Sequence, residues 1–166
     1  MHQPSVCIIS VYFGPLSDWI GLWLRSLQLN SSVDFLLVTD QDISVDRIEN
    51  LRVLHMTLPE FRQLAQERLG ARHISLKSPY KLCDFKPVWG VILADYVTGY
   101  DYWGECDNDL IFGDLRAFFT RYDLARYDKF GNRGHLSLYR NTSDNNNRYK
   151  LRGVVRFLSR SVLLTA

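Results

Sequence analysis

Two pairs of aspartates, each separated by one residue, are the groups in this sequence best suited to chemistry. Asp107 and Asp109 lie between an aromatic segment and an apolar one. In an extended segment both carboxylates point to one face, about 6.6 Å apart along the chain. Mg²⁺ and Mn²⁺ are commonly held by one or two carboxylates, with substrate phosphates completing the shell. The pair therefore predicts a divalent-metal site, and the alternative is a solvated turn in which these residues supply only turn chemistry.

Asp40 and Asp42 form the second pair, directly after an apolar segment. Residues 40–44 resemble the nucleophile motif of haloacid-dehalogenase-like phosphatases, in which the first aspartate attacks phosphate. That motif normally lies on the first strand of the fold, whereas here it follows the second predicted strand. The alternative, that Asp40 caps a turn at the end of a strand, is therefore favoured over a nucleophile.

Several other catalytic and metal-binding signatures are missing from the sequence. It contains no GxGxxG, P-loop, GxSxG or HExxH pattern, which disfavours dinucleotide dehydrogenases, P-loop kinases, serine hydrolases and zinc peptidases. Of the four scattered histidines, His135 is of most interest because it begins a predicted strand after the second aspartate pair. The three cysteines, Cys7, Cys83 and Cys106, form no CxxC pair, so a disulfide framework and a zinc cluster are both disfavoured.

Alternating buried strands and helices must position these carboxylates. We predict strands over 6–13, 35–39, 51–55, 100–104 and 135–139. We predict helices over 19–27, 59–69, 88–97, 114–119 and 151–164, the first capped by Ser17 or Asp18, and a polar loop over 141–147. This order predicts an α/β/α sandwich with a mostly parallel, Rossmann-like central sheet. Ligands of such folds bind at the carboxyl ends of the strands, where both aspartate pairs lie.

Composition and charge limit the class of protein and its partners. The 166 residues are 46% hydrophobic, which suits one globular domain and excludes a disordered or fibrous chain. No apolar run approaches the roughly 18–20 residues of a membrane span, and the first residues do not resemble a signal peptide. With so few cysteines, these features predict a cytoplasmic protein. RNA-binding aromatic motifs are not seen, so no nucleic-acid partner is expected.

Positive charge is concentrated in the C-terminal part of the sequence. Residues 1–120 carry a net charge of −5 and residues 121–166 a net charge of +7. We expect a globular unit over 1–145, followed by a basic amphipathic helix within 146–166 that has Arg152, Arg156 and Arg160 on one face. Residues 148–166 could then bind peripherally to the anionic inner face of a membrane. The alternative is that this helix packs on the sheet.

Five sequence blocks together resemble a mainly bacterial family of glycosyltransferases of the GT-A type, found among polysaccharide-biosynthesis genes. They are residues 35–40, 79–87, 100–104, 107–109 and 112–115. The resemblance covers about residues 5–141, and the combined blocks are more specific than the aspartate pair alone. It implies a GT-A-like fold and transfer of a sugar from a nucleotide-sugar donor to a glycan or lipid-linked acceptor.

The resemblance also implies roles for particular residues. Tyr12, Phe13 and Asp40 would contact the base and ribose of the donor. Asp107 and Asp109 would hold Mn²⁺ or Mg²⁺ against the diphosphate. Three further candidates around the donor are Lys81, Asp84 and Lys86.

The length of the chain leaves two alternatives to an active transferase. GT-A domains usually continue well beyond the aspartate pair, with acceptor contacts and often a catalytic base, whereas 57 residues follow Asp109 here. We therefore expect a fold shortened at its C-terminus, and no catalytic base is assigned. The alternatives are a non-catalytic nucleotide-sugar-binding remnant and a Mg²⁺-dependent phosphatase that uses Asp40 as its nucleophile.

Overall fold

The computed structural model describes residues 3–44, 48–131, 134–151 and 162–164. Its strands, in chain order, are β1 (Val6–Tyr12), β2 (Asp34–Thr39), β3 (Leu51–His55), β4 (Ala71–Ile74), β5 (Tyr102–Cys106), β6 (Lys129–Phe130), β7 (Leu136–Arg140) and β8 (Val162–Leu164). Its α-helices are α1 (Ile20–Gln28), α2 (Leu58–Leu69), α3 (Trp89–Ile92), α4 (Ala94–Val97), α5 (Leu115–Arg121) and α6 (Ser143–Asn146). Three 3₁₀ segments span Pro79–Val88, Leu124–Arg126 and Arg148–Lys150.

Six of the described strands form a central, mostly parallel sheet in the order β3-β2-β1-β5-β7-β6. The pairs β2–β3, β1–β2 and β1–β5 are parallel, while β7 runs antiparallel to both β5 and β6. The chain first builds the sheet outward from β1 to β3 and then crosses back to place β5 on the other side of β1. The strand order therefore reverses between β1 and β5. Open α/β sheets bind ligands at the point where the strand order reverses.

Both faces of the sheet are covered, so alternate side chains of each strand enter different cores. On β1, Ile9 and Val11 lie in the core under α2 and α3, while Val6 and Ile8 lie in the core under α1 and α5. Burial on both faces explains the nearly continuous apolar sequence of the parallel strands. Along β5 the same alternation puts Trp103 in the first core, and residues 105 and 107 follow it on that side with a period of two.

The 3₁₀ segment Pro79–Val88 covers part of that first core, and its periodicity is three. Leu82, Phe85 and Val88 are buried, and residues three apart lie above one another in a 3₁₀ helix. Pro79 stands at its first turn and Pro87 lies inside it, where a proline would break the hydrogen bonding of an α-helix. The 3₁₀ segment therefore covers this part of the core in place of an α-helix.

The structure corrects several expectations drawn from the sequence. The N-cap of α1 is Trp19, without a side-chain hydrogen bond, so neither Ser17 nor Asp18 caps it. The expected polar loop over 141–147 contains α6, because the Thr142 hydroxyl caps a helical turn. The expected helix over 88–97 is divided into α3 and α4.

The prediction of a C-terminal helix over 151–164 is also wrong at its C-terminal end. Residues 162–164 form strand β8, which pairs antiparallel with β4. The expected Arg152, Arg156 and Arg160 face lies outside the described residues, as does most of the basic tail expected over 146–166. Among the helices of the described part, none has the length and apolar character required to cross a membrane.

A glycine against a buried ring gives a test of the packing between α3 and β5. In a Gly90→Ala variant the new Cβ would lie 2.2 Å from the Trp103 ring, which is stacked on Tyr139 with centroids 4.4 Å apart. We expect this overpacking to lower the free energy of unfolding by about 1–3 kcal/mol in urea titrations. The control is Gly21→Ala in α1, where the new Cβ would have no neighbour within 4 Å beyond the adjacent residues and backbone of its own helix, and it should stabilise by up to about 1 kcal/mol. A Gly90→Ala variant as stable as the parent would contradict this packing.

Candidate functional site

A cleft of about 370 Å³ opens at the carboxyl ends of β1 and β5, at the reversal point of the sheet. Tyr12 and Phe13 from the end of β1 form one part of its wall, and residues 106–109 after β5 form another. The remaining wall comes from the 3₁₀ segment and α3. Its position agrees with the general rule for ligand sites in α/β sheets. A cavity therefore lies at the strand ends where the sequence analysis predicts ligand binding.

The 3₁₀ segment presents one of its side-chain rows to this cleft. Tyr80, Cys83 and Lys86 are spaced by three residues and all line the cavity. The row formed by Leu82, Phe85 and Val88 is buried in the core, and Leu82 at its start also borders the cleft. A ten-residue 3₁₀ run is unusually long, since runs beyond three or four residues are uncommon. Its effect here is to place an aromatic ring and an ammonium group at the same cavity.

The Lys86 ammonium is the most connected group of the site. Its Nζ donates to Oδ1 of Asp107 and to the carbonyl oxygen of Gly134 at 2.8 Å, and it lies 3.4 Å from Oε2 of Glu105. Burial alone would lower the pKa of Lys86, but the hydrogen bond to Asp107 and the charge of Glu105 outweigh it and raise the pKa above its ordinary value. Lys86 is therefore charged at neutral pH and links the 3₁₀ segment, β5 and the turn before β7.

Glu105 is the buried acid of this network. Its side chain is only 4% exposed, and at 3.4 Å its contact with Lys86 is an ion pair without a well-formed hydrogen bond to Oε2. Burial raises the pKa of the Glu105 carboxyl, and the attraction of Lys86 and a hydrogen bond from Ser137 offset this only in part. The sequence analysis missed Glu105 as a site residue. The signal that could have identified it is the spacing of two residues between Glu105 on β5 and Asp107 just after the strand.

Asp107 and Asp109 both line the cleft, but they differ in environment. Asp107 is one-third exposed, and its Oδ2 lies 3.3 Å from Nδ1 of His135 while its Oδ1 accepts from Lys86. Asp109 is exposed and lies beyond the end of β5, in a bend. The two carboxylates therefore do not belong to one extended segment as the sequence analysis assumed.

The two carboxylates at the cleft suit a hard divalent cation only if a bound ligand supplies further oxygen atoms. Among the described residues no group of three or more His, Cys, Asp or Glu side chains is arranged to hold a metal. Mg²⁺ nevertheless often takes one or two protein carboxylates and completes its shell with phosphate oxygens and water. Asp107 and Asp109 fit that mode, in which the cation binds together with a phosphate-bearing ligand.

The aromatic residues at the end of β1 are less available than the sequence suggested. The Phe13 side chain is buried and packs against Phe61 with ring centroids 5.9 Å apart. The Tyr12 side chain is half-buried, and its hydroxyl donates to the carbonyl of Pro15 at 2.9 Å. By contrast Tyr80, which the sequence analysis did not select, is 82% exposed at the cleft. Tyr80 is the ring that a ligand can reach most freely.

Asp40 stabilises the loop after β1. Its Oδ1 accepts from the backbone N–H of Gly14 and from the side chain of Gln41, both at 2.9 Å. The hydrogen bond from Gly14, and then that from Gln41, lower the pKa of Asp40. Gly14 has a φ of 100°, a conformation that favours glycine. Asp40 thus fastens the turn that carries Tyr12 and Phe13, as a strand-end aspartate is expected to do.

The remaining candidates lie on the outer side of the 3₁₀ segment. Lys81 and Asp84 form an ion pair at 3.2 Å, with the lysine side chain about half exposed. Neither is among the residues that form the cleft wall. Of the three polar candidates proposed in this segment, Lys86 is the one whose hydrogen bond reaches Asp107 after β5.

The pairing of Lys86 with Glu105 can be measured by a double-mutant cycle. Lys86→Met leaves the buried Glu105 carboxylate without its cation, and breaking such a pair costs about 3–5 kcal/mol. We expect the double variant Lys86→Met/Glu105→Gln to lose much less stability than the sum of the single changes, in urea unfolding at neutral pH. Additive effects of the two changes would show that the ion pair does not exist.

Comparison with known proteins places the chain in a family but supplies no activity. None of the curated proteins compared with this chain matches it. The model of one protein family does match, over residues 8–164, which includes the central sheet from Ile8 of β1 onward and every residue of the cleft wall. Since that match covers most of the chain, the protein belongs to DUF6625, a family of unknown function.

Proposed function

We propose that this protein is a metal-dependent glycosyltransferase with a GT-A-like fold, which uses a nucleotide sugar as its donor. The observation that carries the proposal is the cleft at the reversal point of the sheet, with Asp107 and Asp109 on one wall and Lys86 and Tyr80 on another. Carboxylates, an ammonium and an exposed ring are the groups that a nucleoside diphosphate with its divalent cation requires. The resemblance of the sequence blocks to glycosyltransferases supports the same conclusion.

Each part of the donor has a suitable group in the cleft. The Tyr80 ring offers a stacking surface for the base, because aromatic rings bind bases of any sequence through their faces. The turn after β1, fastened by Asp40, borders the same cavity through Tyr12 and Phe13. Asp107 and Asp109 would hold Mn²⁺ or Mg²⁺, which offsets the negative charge that develops on a departing diphosphate. Lys86 orients Asp107 through its hydrogen bond.

The acceptor and the location of the protein follow from this proposal. The acceptor would be a glycan or a lipid-linked saccharide in the cytoplasm, and a lipid-linked one would bring the protein to the inner face of the membrane. The phosphatase alternative is supported less well, because Oδ1 of Asp40 is already occupied by Gly14 and Gln41. A nucleotide-sugar-binding remnant would use the same cleft and differ only in lacking turnover.

Substituting each aspartate by asparagine tests the proposed metal site. Asp107→Asn and Asp109→Asn remove the charge but keep the shape of the side chains, so we expect each to abolish the Mn²⁺-dependent part of UDP binding in titration calorimetry. Asp144→Asn, which changes an exposed aspartate of α6, is the matched control and should bind as the parent does. Unchanged Mn²⁺-dependent affinity in both Asp107→Asn and Asp109→Asn would refute the metal site.

The stacking role of Tyr80 is tested by truncating its ring. Stacking of one base on an aromatic side chain is worth about 1–3 kcal/mol, so Tyr80→Ala should weaken UDP and UDP-sugar binding by roughly 5- to 150-fold. The control is Tyr122→Ala, which removes another exposed tyrosine from the end of α5. If both variants bind UDP equally well, Tyr80 is not a nucleoside contact.

A further inference from the structure

A second, smaller cavity shares a wall with the cleft. Its volume is about 230 Å³, and Asp109 lines both cavities. Its other lining residues are all apolar and come from the start of α1 and from the segment after Asp109: Trp19, Leu22, Trp23, Leu110 and Ile111. We call this cavity the apolar groove. A molecule lying in it would have one end beside the proposed diphosphate site.

Three side chains of the apolar groove are unusually exposed for their type. Trp19 is 56% exposed, Leu22 58% and Ile111 68%. The core contacts of α1 are made through Trp23, Ser26 and Leu27, so packing of the helix does not require an apolar side chain at Leu22. Exposed apolar residues that occur together around a cavity are typical of ligand and partner sites.

We propose that the apolar groove binds the hydrocarbon part of the acceptor, an alkyl or isoprenoid-like chain attached to the sugar that is modified. This rests on the proposed glycosyl transfer, because the shared wall at Asp109 is what places the acceptor beside the donor. The groove is smaller than the roughly 300–1,000 Å³ of usual small-molecule sites, so it suits a slender chain better than an oligosaccharide. Apart from Asp109 its lining carries no charge, so the bound portion must be uncharged.

The tryptophans make the proposal measurable without a nucleotide. All four tryptophans of the chain lie within the described residues, and Trp23, Trp89 and Trp103 are at most 2% exposed. Quenching of fluorescence by acrylamide therefore reports mainly on Trp19. The experiment titrates octyl glucoside, below its micelle concentration, and follows the protection of Trp19 from acrylamide. Free glucose, which has the same sugar without the chain, is titrated in parallel.

We expect saturable protection by octyl glucoside and none by glucose. Leu22→Ser and Ile111→Ser leave Trp19 in place and should each weaken octyl glucoside binding by about tenfold or more. Leu29→Ser is the control, because Leu29 is 69% exposed at the other end of α1 and does not line the groove. Circular dichroism shows whether each variant is folded.

Several results would overturn the proposal. The first three are no protection of Trp19 by octyl glucoside, equal protection by glucose, and unchanged octyl glucoside binding in the serine variants. Protection of Trp19 by phosphatidylglycerol vesicles but not by octyl glucoside would show membrane insertion instead. Protection that rises with protein concentration in the absence of octyl glucoside would show self-association. UDP binding without groove protection would overturn this inference alone. Groove protection without any UDP binding would overturn the glycosyl-transfer proposal and, with it, the acceptor role of the groove.

Discussion

The Lys86 ammonium is the contact on which the rest of the candidate site depends. It connects three separate parts of the chain, through Asp107 after β5, Glu105 within β5 and the carbonyl of Gly134 before β7. Glu105 is almost fully buried, and a buried carboxylate is tolerated only with a partner of opposite charge. Together with the burial of Leu82, Phe85 and Val88, this side chain sets the position of the 3₁₀ segment relative to the sheet.

The same contact determines how a ligand can enter. An ammonium group has three donors, of which Asp107 and the Gly134 carbonyl accept two, while the Glu105 carboxylate lies 3.4 Å away. A phosphate or a divalent cation that approaches Asp107 must therefore exchange with an existing contact. Of the two carboxylates beside Lys86, Asp107 is the more exposed, whereas Glu105 is buried. We expect the exchange to take place at Asp107, with Lys86 remaining paired to Glu105.

The sequence predicted the parallel strands and the location of the site better than the site's internal contacts. β1 and β2 have nearly continuous apolar sequences, which are typical of buried parallel strands, and aspartates directly follow β2 and β5. The 3₁₀ segment was not predicted, because apolar residues spaced by three occur in both 3₁₀ and α-helices and do not distinguish the two. The role of Lys86 depends on contacts more than 20 residues away, which local patterns do not contain. Strand β8 was expected to be helical, because its pairing with distant β4 is decided by tertiary structure and not by local periodicity.

The central claim is that the cleft between β1 and β5 binds a nucleoside diphosphate together with a divalent cation. The most direct measurement is the thermal unfolding of the parent protein with a panel of nucleoside diphosphates and nucleotide sugars, each with and without Mn²⁺. A ligand at 100 times its dissociation constant stabilises the folded state by about 2.7 kcal/mol. The account predicts a rise in unfolding temperature that requires both a nucleotide and Mn²⁺. No shift with any nucleotide, in the presence of Mn²⁺ or without it, would contradict the account.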